Sequence, residues 1–108
     1  MDYSKSYWKL FQKNVPDWQE AYIGKLLKED IALLESPKEP STKFWELKER
    51  ISNDVKTPGV VIVMTKKDMF FNIVDLINLG AITMADLDGF SNELIDNVEM
   101  HLKRMSIT

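Results

Sequence analysis

Apolar residues recur at helical spacing through most of the chain. Tyr3, Tyr7, Trp8, Leu10 and Phe11 share one arc at about 100° per residue, which predicts a helix over residues 3–14. Lys5, Lys9 and Lys13 form a stripe on its opposite side. Pro16 is expected to end that helix, because proline lacks an N–H and its ring crowds the preceding turn. A second helix is predicted over 17–35 from Trp18, Tyr22, Leu26, Leu27, Ile31 and Leu34, with Pro16 and Asp17 at its start. Gly24 inside it predicts a close helix crossing, since glycine is otherwise costly there.

Ser36 to Pro40 carries two prolines among polar residues and reads as a short loop. A third helix is predicted over 42–55, capped by Ser41 or Thr42. Its buried face is Phe44, Leu47, Ile51 and Val55, with Trp45 alongside. Val60 to Met64 holds four β-branched residues and a methionine, which favour a short strand. A helix running on from Pro58 is the competing reading. Thr65 and Asp68 fit a capping-box start for a helix over 66–79. That helix is apolar nearly all round and predicts the centre of the core, with Gly80 as its C-terminal stop. A single turn over 84–88 follows, again with a capping-box pattern in Thr83 and Asp86. Ser91 caps a last helix over 92–105, with Phe90 and Ile95 placed as a hydrophobic staple. Its inner face is Leu94, Val98, Leu102 and Met105.

The expected fold is therefore mainly α. It is a single helical domain over 1–108, a small bundle of about five helices with at most one short β element near 60–64. A lone strand must pair its backbone groups. Its candidates are Ala81-Ile82-Thr83 or the same strand of a second copy, which would make a homodimer.

Composition narrows the chemistry. The 108 residues contain no cysteine, which excludes disulfides, thiol catalysis and thiolate metal sites. The four glycines are isolated, so no phosphate-cradling loop is present. His101 is the one histidine and cannot form a multi-histidine metal site. Asp86-Leu87-Asp88-Gly89 resembles the start of a calcium loop, but the glycine falls two places early and Phe90 takes a ligand position. These readings predict no catalytic, cofactor-binding or metal-binding residues, and a protein that is not an enzyme. The start of the sequence shows no apolar signal segment, and the longest apolar run is Val60–Met64, so a cytoplasmic protein is expected.

Charge is unevenly placed. Residues 1–56 carry ten bases and ten acids, whereas residues 57–108 carry four bases and seven acids, which accounts for the net charge of −3. No base stands between Asp68 and Met100. Asp86, Asp88, Glu93 and Asp96 are the candidate partner-binding residues in that stretch, which would repel phosphates and so argues against nucleic acid as a partner. The leading expectation is a small non-catalytic cytosolic protein acting on another protein, of adaptor, regulator or inhibitor type. The alternative is a peripheral, immunity-type protein at a membrane surface. It would use the basic aromatic first helix, through Lys5, Tyr7, Trp8, Lys9, Phe11 and Lys13.

Overall fold

The computed structural model describes residues 5–107, and the side chains of 7–105. Four α-helices follow one another among these residues: α1 (Lys5–Leu34), α2 (Pro40–Asp54), α3 (Met69–Leu79) and α4 (Asn92–Ile107). A 3-10 turn, Lys66–Asp68, leads directly into α3, and a second, Met84–Leu87, lies between α3 and α4.

The mainly helical class agrees with the sequence, but the first two predicted helices are one. Pro16 sits inside α1, which runs unbroken for 30 residues. Its ring is exposed, while Phe11 and Val15 just before it are 0% and 1% exposed. Burial of that face outweighs the lost hydrogen bond and the ring's crowding of the turn. Gly24 also departs from expectation: a Cβ there would meet nothing within 4 Å, so no helix crosses at that point.

Residues 61–65 have no regular secondary structure, and no strand occurs among the described residues. The run of Val60 to Met64 is a strap across the body. Its carbonyls are held by side chains rather than by a ladder. Gln19 Nε2 donates to Pro58 O (3.1 Å) and Val60 O (3.4 Å), and Asn72 Nδ2 donates to Val63 O (3.3 Å). Backbone turns take up the N–H groups of Val60, Val61 and Thr65. Ala81-Ile82-Thr83 does not pair with the strap. The strand-mediated homodimer therefore loses its template. Ahead of the strap, Gly59 is buried with no room for a side chain: an added Cβ would lie 2.6 Å from Tyr22 Cε2 and 2.9 Å from Leu79 Cδ2.

The core gathers on α3, as expected. Met69, Phe70, Ile73, Val74 and Leu76 meet Phe11 and Val15 of α1, Leu94 and Val98 of α4, and Ile82, Leu87 and Phe90 from the connection. The local signals around it hold. Gly80 takes φ 81° and its N–H reaches Ile77 O at 3.0 Å. Thr83 N–H donates to Asp86 Oδ2 at 2.7 Å. Leu94 N–H donates to Ser91 Oγ at 3.1 Å, and Phe90 and Ile95 both pack on the core. Met105, expected on the inner face of α4, is 43% exposed.

The larger departure is α2. It begins at Pro40, not at Ser41 or Thr42, with Glu39 as an extended N-cap residue that makes no side-chain cap. It contains no buried residue. Most of its predicted inner face lies in solvent: Phe44 is 62% exposed, Ile51 47%, Val55 44%, and Trp45 beside them 61%, while Leu47 is half-buried. α2 folds back along the second half of α1 as a hairpin that stands out from the body. The radius of gyration is 16.4 Å, against about 13 Å for a compact domain of this length.

Two outcomes follow. Pro16→Ala restores a backbone donor in an exposed helix interior, and is expected to stabilise the chain by about 1–3 kcal/mol in urea unfolding. Burial raises the Tyr22 hydroxyl above its ordinary pKa of 10.0, with smaller contributions from the Asp54 and Glu29 carboxylates. The unfolded chain then releases this proton before the folded one. The contribution is fully present below pH 10.0 and is lost as pH rises through the raised folded value. Tyr22→Phe is expected to flatten that alkaline loss, measured as unfolding free energy against pH.

Candidate functional site

The acidic candidates lie on the turn and helix that close the body. Leu87 (0% exposed) and Phe90 (6%) anchor the turn in the core, and the Phe90 ring lies tilted against Tyr7 with ring centroids 6.4 Å apart. Gly89 takes φ 96° and lies close to Leu10. That fixes the position of the side chains around it. Asp86, Asp88, Glu93 and Asp96 are all exposed. They differ in what they do locally. One Asp86 oxygen accepts from both the Thr83 N–H (2.7 Å) and the Thr83 hydroxyl (3.2 Å), so this carboxylate holds its own turn together. Asp88, Glu93 and Asp96 make no ion pair with any described residue. Glu93 and Asp96 stand one turn apart on α4, and Glu99 follows at the same spacing with Lys103 at 3.3 Å. Like charges at that spacing cost a helix a few tenths of a kcal/mol per pair.

The basic aromatic candidates lie in the first half of α1. Lys9 and Lys13 are exposed. Phe11 is inaccessible, stacked on Trp8 (5.9 Å) and edge-on to Trp18 (6.2 Å), and Tyr7 and Trp8 pack against the core. Phe11 is thus committed to the core, while Tyr7 and Trp8 keep part of their surface in solvent. The Lys5 side chain lies outside the described residues. No helix among the described residues is long and apolar enough to cross a membrane.

His101 lies edge-on to Phe70 (5.8 Å) and Phe71 (5.7 Å), a packing role for its ring. No group of three His, Asp or Glu residues among the described ones is arranged to hold a metal ion. An open groove of about 340 Å³ runs between the strap and α3, with Val61, Val63, Asp68 and Phe71 on its walls.

Sequence reasoning missed the surface on the α1/α2 hairpin. On one side the two helices are joined by charge. Asp30, buried at 6% exposure, accepts from Arg50 Nε at 2.9 Å, and Glu29 lies 3.5 Å from the same guanidinium. An apolar face runs beside this pairing. Ile23, Leu26, Leu27, Ile51, Val55 and Val60 line a cleft of about 200 Å³ at the hairpin's base, with Asp30 and Asp54 also on its wall. Leu27, Ile31 and Leu34 on α1, and Phe44 and Ile51 on α2, are each about half exposed or more. The helical repeat in both segments marks these positions as one apolar side, but a repeat does not tell an exposed side from a buried one.

No known protein family, curated protein or solved structure matches this chain.

Arg50→Met removes the partner of a buried carboxylate. It is expected to cost about 1–3 kcal/mol in chemical unfolding, with part of that recovered when Asp30→Asn is added.

Proposed function

We propose that this chain is a non-catalytic protein that acts by binding another protein, and that the acidic end of the body is the contact. The observation that carries this reading is the pair Glu93 and Asp96 on α4. Both are exposed and one turn apart, and neither forms an ion pair with a described residue; Lys103, which shares a surface hollow with Asp96, pairs with Glu99. Glu93 gains from its place in the first turn of α4, but Asp96 has no such role. Like charges held this close give little back to the fold and much to recognition, because a one-signed surface steers a basic partner and rejects acidic ones. Asp88, on the rigid turn before α4, extends the surface. Asp86 belongs to its cap and contributes charge but not a free carboxylate. The partner this reading fits is a protein with a basic patch, and the role it proposes is that of an adaptor, regulator or inhibitor.

The test is affinity capture from lysate of the source cells with a tagged chain, eluted by salt. The wild-type chain should retain one stoichiometric, salt-released protein. An Asp88→Lys/Asp96→Lys variant with unchanged circular dichroism should retain it at least about 10-fold less well. Equal capture by both proteins would remove the acidic end as the contact.

A further inference from the structure

The hairpin carries an inference independent of the acidic end. We propose that a second copy of this chain docks on the apolar face of the α1/α2 hairpin. The two hairpins then lie antiparallel, face to face, and together form a four-helix bundle.

Three observations point to a second copy. The first is area. The chain exposes 7330 Å², against roughly 6,200 Å² for a folded monomer of its mass. The excess, on the order of 1,000 Å², is comparable with the roughly 800 Å² that each partner buries in a stable interface. The hairpin contributes Leu27, Ile31 and Leu34 from α1, Phe44 and Ile51 from α2 and Val55 just after it to the exposed apolar surface, and Val61, Val63 and Phe71 expose more of it on the strap and α3.

The second observation is charge. Residues 23–56 carry seven bases and seven acids, interspersed. A self-association through this segment therefore meets no net repulsion, whereas residues 57–108 carry the whole of the −3. The acidic turn packs beside Leu10, and Leu34 lies 24 residues further along the same helix, about 36 Å away. That exceeds several screening lengths at physiological salt.

The third observation is shape. The face has a projection at one end and a hollow at the other. Phe44 and Trp45, ring to ring at 5.1 Å, stand out near the hairpin's tip. The apolar cleft of about 200 Å³ lies at its base, between Ile23, Leu27, Ile51 and Val55. The two are separated by about two to three turns of α2, roughly 10–16 Å. A two-fold axis between them sets the Phe44 of each copy at the cleft of the other, and the same contact is made twice. The antiparallel arrangement also sends the two bodies, and their acidic ends, away from each other.

Sedimentation equilibrium of the full chain across the micromolar range tests this. The wild-type protein should sediment at twice its 12.6 kDa mass. Phe44→Glu should raise the dimer dissociation constant by at least about 100-fold, and Phe44→Ala should weaken the dimer in the same direction. Phe71→Glu is the control. Phe71 is equally exposed, at 56%, but lies on the body, so this variant should leave the dimer intact. Circular dichroism establishes that each variant is folded. A wild-type monomer at every concentration overturns the proposal. So does a dimer that survives both Phe44 variants, or one that Phe71→Glu dissociates as fully as Phe44→Glu does. None of these results bears on capture through Asp88 and Asp96, so the two readings fail separately.

Discussion

The fold depends on α1 remaining a single helix through Pro16. Thirty residues of α-helix are about 45 Å long. The helices against which it packs in the body are shorter: α3 has 11 residues and α4 has 16, about 16 and 24 Å. They cannot cover it. The first half, with Phe11 and Val15, lies in the core, and Tyr22 seals against Gly59 where the chain returns. Beyond that point α1 projects, and α2 is the partner left for it. Two helices side by side cannot enclose a core, because each has a single neighbour and an apolar arc wider than one contact. The exposed row on the hairpin thus follows from the length of α1.

The same geometry separates two kinds of surface. The hairpin is neutral overall and apolar on one side. The body carries the excess acid, on a turn held by Leu87 and Phe90. Along α1 they are far enough apart that salt screens one from the other. A charge change at the body therefore leaves the hairpin's energetics alone, and an apolar-to-polar change on the hairpin leaves the field of the acidic end alone.

What was legible in the sequence was local. The helix of Met69 to Leu79, its stop at Gly80, the Ser91 cap and the Thr83–Asp86 turn each depend on residues within a few positions of one another. What was not legible depended on residues far along the chain. Pro16 is a helix breaker by its own chemistry, and the burial of Phe11 and Val15 against α3 and α4 overrides it. Val60 to Met64 has the composition of a strand. Its carbonyls are taken by Gln19, some forty residues earlier, and by Asn72, so no ladder forms. The helical repeat in Phe44, Leu47, Ile51 and Val55 correctly marks a helix with one apolar side. Periodicity shows that a side differs from the rest; it does not show what covers it.

The acidic residues show the same limit at finer scale. By sequence, Asp86, Asp88, Glu93 and Asp96 are four equivalent carboxylates in one base-free stretch. In the fold they divide. Asp86 is consumed by the Thr83 turn, and Glu93 has a reason to stand at the start of α4. Asp96 has neither a capping role nor an ion pair with a described residue, and it stands beside like charge on either side along the helix. A carboxylate that helps its own helix needs no partner to explain it. One that costs its helix a little and is paired with nothing nearby is the one whose charge is available to a partner.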